Sequence, residues 1–170
     1  LVALEQQLGK SRKLRSGGAA AEARGRADRV ARETSDPPRG LAFQAFTLFP
    51  RIREIDALLL ADTGLRERVI ECHPELAFWR LNGESAMTEP KKVKGRLHPP
   101  GMAERRALLL SCGLDAALVE VPPPPGAAAD DCLDALACLM IARRHEKGLT
   151  TPFPDPPLAD THGIPICIRA

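Results

Sequence analysis

The sequence predicts an α/β fold, and three observations carry the prediction. Residues 68–72 form a short β-branched run placed directly before a proline-opened helix. Asp130–His145 has helical periodicity and is apolar or small all round, apart from acids at its start and Arg143-Arg144 at its end. Such a helix is covered on more than one side. The Gly163-Ile-Pro-Ile-Cys-Ile segment alternates as a terminal strand does. Strands separated by helices of this length imply parallel neighbours. Two or three short strands make a thin sheet for 170 residues, so either further strands are concealed in the pattern or part of the fold is missing.

Taken in order, residues 1–39 read as a basic Ala/Arg-rich helical head and residues 40–170 as the α/β domain. Within the head, the break at Gly17-Gly18 separates helices expected at Leu1–Leu8 and about Ala19–Thr34, the second ended by Asp36-Pro37-Pro38. Phe43, Phe46 and Phe49 stand at helical spacing before Pro50. Ile52, Ile55, Leu58 and Leu59 then share a stripe, which predicts a helix over about Arg51–Ala61 with Pro50 at its entry and Thr63-Gly64 at its close. Arg68–Cys72 is the clearest strand. Pro74 opens a helix with Glu75 in its first turn, running through Leu76, Phe78, Trp79 and Leu81 to a stop at Gly83. Lys91–Pro100 reads as a basic loop, and Met102–Cys112 as a helix stopped by Gly113. Ala117–Val121 suits a strand or a helix end, and Pro122–Gly126 a stiff connector. After Asp130–His145 comes a proline-rich loop and then the terminal strand.

Composition narrows the function classes. An apolar fraction of 44% and a charged fraction of 27% are those of a globular chain. The longest apolar runs, such as Ala57–Ala61, are far short of a membrane span. With one Trp, five Phe and no Tyr, an extended base-stacking platform has almost nothing to be built from. The net charge of +2 hides an asymmetry: residues 1–39 hold nine Lys/Arg against five Asp/Glu, and the remainder fifteen against seventeen. The basic head suits either a polyanion or, more simply, a solvated helix face. Five scattered cysteines with no C-x-x-C pair read as buried thiols in a reducing compartment. The chain opens with no signal-peptide pattern and without Met, so a cytoplasmic location is expected and Leu1 reads as a trimmed terminus or an internal start.

Three constellations can carry chemistry. In Glu71-Cys72-His73-Pro74-Glu75 a carboxylate ends a strand beside a helix N-terminus, where open α/β sheets bind ligands and a hard divalent cation finds oxygen donors. The simpler reading is an exposed Glu71, with Glu75 complementing the helix dipole. Asp131 and Asp134 share a helix face continued by the small residues Ala135, Cys138 and Ala142, which lets carboxylates approach a sheet edge and hold Mg²⁺ or Mn²⁺. Capping explains Asp130 fully and Asp131 partly, but Asp134 poorly, since it lies beyond the first turn. Lys91, Lys92, Lys94 and Arg96, with Arg105-Arg106 on the next helix, suit phosphate neutralisation or a solvated turn.

Together, Gln44-Ala45-Phe46, Pro50-Arg-Ile-Arg-Glu-Ile-Asp56, Glu71-Cys-His-Pro-Glu75, the Lys91–Arg106 block, Asp131-Cys-Leu-Asp134-Ala-Leu and Gly163-Ile-Pro-Ile resemble the bacterial domain-of-unknown-function family 429 over roughly residues 20–170. That family is described as predicted ribonuclease-H-like nucleases, and its acidic helix is similar to that of Holliday-junction resolvases. The resemblance implies a ribonuclease-H-like mixed sheet flanked by helices and incomplete at the N-terminus. It also implies Glu71, Asp131 and Asp134 as catalytic ligands of Mg²⁺ or Mn²⁺, and hydrolysis of nucleic-acid phosphodiesters, with Lys91, Lys92 and Arg96 on the backbone of the substrate. The family's first strand, which carries its central Asp, has no counterpart here, and Arg96–Gly101 looks like an insertion. A non-catalytic nucleic-acid-binding or interaction module that retains the fold is the rival reading. A sheet without its first strands predicts a homo-oligomer, since an uncovered edge invites pairing.

Overall fold

The structure is a computed structural model and describes residues 17–170; the helix expected at Leu1–Leu8 lies outside them. The described residues fall into two compact units, residues 17–62 and 63–170, defined by internal contacts. In the first, α1 (Gly17–Thr34) buries Ala23 and Ala27, one turn apart. Its outer surface carries the i,i+4 pairs Glu22–Arg26 and Asp28–Arg32. Asp28 Oδ1 also accepts from the Leu41 N–H at 2.7 Å, tying the connection back onto the helix. The Arg32 hydrogen bond, followed by that from Leu41, holds the Asp28 carboxyl below its ordinary range.

Helix α2 (Phe43–Ala61) differs from the expectation of a start at Arg51: it begins eight residues earlier and runs through Pro50. Proline removes one backbone donor and normally kinks or ends a helix. Here the helical spacing of Phe43, Phe46 and Phe49 is continued by Ile52 and Ile55, so the periodicity on both sides outweighs the one lost bond. No residue of α2 is buried, and Leu48, Ile52, Ile55 and Leu58 are each at least half exposed.

The second unit contains α3 (Thr63–Arg68), α4 (Pro74–Leu81), β1 (Lys92–Val93), β2 (Arg96–Leu97), α5 (Pro99–Ser111), α6 (Ala116–Val119), α7 (Ala129–Glu146), β3 (Pro152–Ala159) and β4 (Pro165–Arg169). Its core joins Ala77 and Phe78 of α4, Met102 and Leu109 of α5, Val119 of α6, and Leu133, Ala137 and Ile141 of α7. Pro74 and Pro99-Pro100 open their helices at positions whose N–H groups would have no partner. Gly83 and Gly113 follow the helix ends at φ +65° and +85°, where a Cβ would be strained. Of the two readings of Ala117–Val121, the helical one applies: Asp115 caps α6 by accepting from the Ala117 N–H at 2.8 Å.

The strands depart most from expectation. Both pairs are antiparallel and two-stranded, so the parallel neighbours and the larger sheet do not occur among the described residues. The Arg68–Cys72 run is not a strand: Arg68 ends α3, and residues 69–73 carry no regular structure. The Glu71 carbonyl nevertheless accepts from the Arg169 N–H at 2.8 Å. A β-branched run becomes a strand only when a neighbour aligns along it, and β4 gives its ladder to β3. The proline-rich segment taken for a loop is that partner. Pro152 pairs with Arg169 and Phe153 with Ile168; after an irregularity, Leu158 pairs with Ile166 and Ala159 with Pro165. Prolines cannot donate to a ladder, and a two-stranded ribbon accommodates them because each strand keeps one open edge. The basic loop is likewise a hairpin, with Lys92 opposite Leu97, Val93 opposite Arg96, and positive φ at Lys94 and Gly95 as a tight turn of matching twist requires.

Candidate functional site

The N-terminus of α7 sets the geometry. Ala128 is the N-cap, and Asp131 Oδ2 accepts its N–H at 3.0 Å, so Asp131, not Asp130, takes the capping role. Asp131 is exposed. Asp130 turns inward with its side chain 3% exposed, and Asp134, one turn further on, is 19% exposed. The i,i+4 interval places both carboxylates on one face.

The β1–β2 hairpin delivers two ammonium groups to that face. Lys92 Nζ lies 2.6 Å from Asp130 Oδ2, and Lys91 Nζ lies 2.7 Å from Asp134 Oδ2. Lys91 Nζ also stands 3.8 Å from both Asp130 Oδ2 and Glu75 Oε1, so three carboxylates surround one lysine. Glu75 is held from the other side by the buried Arg105 of α5, whose Nη2 donates to both carboxylate oxygens at 2.9 and 3.2 Å. Arg105 Nη1 donates to the Glu89 and Gly101 carbonyls, and its guanidinium lies 5.3 Å from the Phe78 ring centroid. The cluster therefore joins three acids to three bases.

The Lys92 hydrogen bond holds the Asp130 carboxyl below its ordinary value, against the opposing effect of burial. The same bond raises Lys92. Asp130 Oδ1, Asp134 Oδ1 and Arg105 Nε are buried and make no hydrogen bond. Such groups carry a desolvation cost of about 1–3 kcal/mol each, which a bound ligand would relieve. Beside the cluster, a cavity of about 380 Å³ is walled by Glu75, Trp79, Met87, Lys91 and Arg105. One wall is braced by Glu104, which accepts from the Thr88 hydroxyl and from the Thr88 and Glu89 N–H groups at 2.6–2.9 Å. Those bonds, the Thr88 hydroxyl first, keep the Glu104 carboxyl below its ordinary range.

Of the residues singled out in the sequence, Asp134, Lys91 and Lys92 meet in this cluster. Glu71 is exposed ahead of α4, Asp131 caps α7, and Arg96 is exposed on β2 opposite Val93. Among the described residues no three His, Cys, Asp or Glu side chains stand at metal-binding spacing, so Glu71, Asp131 and Asp134 do not form a ligand set in this arrangement. Asp130, Glu75 and Arg105 were read in three separate constellations, as a cap, a helix-dipole partner and part of a basic group, and not as members of one site. The signals were present: Asp130 and Asp134 are one turn apart, and Arg105 interrupts the apolar Met102, Leu109 stripe of α5, a place where a charge needs a partner.

Among the described residues, Asp130 and Asp134 share one helix face and each keeps a buried carboxylate oxygen without a hydrogen bond. The five cysteines are free thiols. Burial, with Cys138 as neighbour, pushes the Cys72 thiol up to about 12. No helix among the described residues is long and apolar enough to cross a membrane.

The chain belongs to the family described as Protein of unknown function (DUF429), whose profile matches residues 10–159. No curated protein and no solved structure matches it.

Proposed function

We propose that this is a divalent-metal-dependent, nuclease-like protein acting on nucleic-acid phosphodiesters, cytoplasmic, with the ribonuclease-H-like character that its motifs suggest. The observation that supports this reading is the pair Asp130, buried, and Asp134, half-buried, each with one buried oxygen unpartnered and set against two lysines. Asp130 and Asp134 would hold Mg²⁺ or Mn²⁺, which when bound supplies Lewis-acid activation of water and neutralises phosphate charge. Lys91 and Lys92 lie within reach of a phosphate at the same face, and their ammonium groups bind its oxygens in place of the carboxylates they now pair with. Arg105 fixes the Glu75 carboxylate at the edge of the site, and Asp131 holds the first turn of α7 on which both metal-binding acids depend. Glu71 lies outside this arrangement as a ligand of the same ion, and Arg96, exposed on β2, stays a candidate contact for the backbone of the substrate.

The test is thermal melting with Mn²⁺ together with cleavage of single-stranded, duplex and branched DNA and of RNA. Mn²⁺ is expected to raise the melting temperature of the wild type and not that of Asp134→Asn, by ligand linkage. Cleavage is expected to be weak, because the central aspartate that the resemblance assigns has no counterpart in residues 1–170, and to vanish in Asp134→Asn. A melting temperature indifferent to Mn²⁺ refutes the metal site. The balanced ion pairs favour the rival reading in one respect, since Lys91 and Lys92 already neutralise the acids. A non-catalytic module would bind nucleic acid equally well with and without Mn²⁺ and would cleave none.

A further inference from the structure

We infer that the cavity beside the charged cluster is a subsite for one nucleotide of a nucleic-acid strand, its base against Trp79 and Met87 and its phosphate at Lys91. The inference rests on the nucleic-acid reading above and adds how the strand is held.

Three properties of the cavity carry it. Its volume of about 380 Å³ lies at the small end of ligand sites, which run from about 300 to 1,000 Å³, and so suits a single compact ligand. Its walls divide into a flat, polarisable part and a charged part. The indole of Trp79, which lines the cavity, is fixed by Phe153 in an edge arrangement with ring centroids 6.1 Å apart and by the Arg80 guanidinium 5.2 Å from its ring centroid. Met87 adds a thioether, which adapts to aromatic rings of different shape. The lining also includes Lys91, a cation for a phosphate, and Glu75, an acceptor for an exocyclic amine. Arg105 brings a buried Nε that lacks any acceptor.

The third property is the position of Lys91. The same ammonium that walls the cavity lies 2.7 Å from Asp134 and 3.8 Å from Asp130. A phosphate bound to Lys91 is therefore delivered to the acid pair without any further movement of the chain. Base stacking on an aromatic ring contributes about 1–3 kcal/mol and tolerates any base, so the subsite would position a strand without reading its sequence. A ligand with a ring and no anion would leave Lys91 unused, and an anion with no ring would leave Trp79 unused.

Trp79 is the only tryptophan in the 170 residues, so its fluorescence reports this cavity alone. The full chain, in EDTA, is titrated with adenosine 5′-monophosphate, adenosine, ribose 5-phosphate and a hexadeoxyadenylate. The monophosphate is expected to quench Trp79 saturably, adenosine at least about tenfold more weakly, and ribose 5-phosphate not at all, with the hexanucleotide binding more tightly than the monophosphate. Lys91→Gln should weaken the monophosphate by about tenfold or more. Ala86→Phe, which fills the cavity from an exposed position, should abolish the quenching and leaves the Lys91 ion pairs in place should Lys91→Gln fail to fold. Absence of saturable quenching, or quenching unchanged in Ala86→Phe, overturns the subsite. A monophosphate that binds as tightly as the hexanucleotide overturns the strand and makes the ligand a free nucleotide. Because the titration contains no divalent ion, quenching without any Mn²⁺ effect on melting would refute the metal-dependent reading and keep the subsite, and the converse would refute the subsite alone.

Discussion

Replacing Asp130 by Asn isolates the electrostatic role of the buried acid, because the shape is kept and the charge is lost. The carboxylate is 3% exposed and lies 2.6 Å from Lys92 and 3.8 Å from Lys91. Removing one partner of a fully buried ion pair costs about 3–5 kcal/mol. Two features reduce that figure here: Lys92 is 46% exposed and regains hydration once released, and Oδ1 makes no hydrogen bond to lose. The expected loss is therefore about 2 kcal/mol at neutral pH, or roughly 8–10 °C in melting temperature for a unit of about a hundred residues. The pH dependence separates charge from packing. Asp130 is held below its ordinary value by Lys92, so its stabilisation is complete above the unfolded-state value of about 3.9 and is lost as pH falls through the lower folded-state value. Melting of both proteins, followed through Trp79, should show the full gap at pH 7 and a gap that closes progressively below about pH 4. An undiminished gap in strong acid would mean that Asn damages packing and would refute the argument, as would equal stability at pH 7.

Gly101→Ala should destabilise the second unit by about 2–3 kcal/mol in denaturant titration, because a Cβ there would land on the Pro90 carbonyl, a backbone atom that cannot turn aside. Cys72, with its thiol pushed up to about 12 mainly by burial, should alkylate at pH 8 at least about a hundredfold more slowly than in the unfolded chain, as followed by mass spectrometry. The exposed Leu48, Ile52, Ile55 and Leu58 of α2 predict self-association; light scattering should show it at tens of micromolar and should show monomer for Ile52→Glu/Ile55→Glu. A wild type that stays monomeric there would remove the homo-oligomer.

Helices α4, α5 and α7 were legible from local signals because a helix satisfies its backbone within four residues. Pro74 and Gly83, Gly113, and the acids and arginines at the two ends of α7 mark limits in the chain itself, whereas Pro99-Pro100, read as the end of a basic loop, open α5. Asp134, Lys91 and Lys92 were legible as chemically unusual for a similar reason: an acid beyond the first helical turn and adjacent lysines in a turn-rich stretch are anomalies that need no partner to be noticed.

Strand pairing and membership of the charged cluster depended on residues far apart in sequence. Whether Val69-Ile70 or Phe153-Pro154 lies in a ladder is decided by which segment reaches β4, and the proline-rich one does, against every local propensity. Asp130 looks like an ordinary cap until the hairpin brings Lys92 to it. Glu75 looks like a dipole partner until α5 brings Arg105. A charge acquires its role from what surrounds it in space, and residues 75, 91, 92, 105, 130 and 134 become neighbours only when α4, α5, α7 and the hairpin close on a common core.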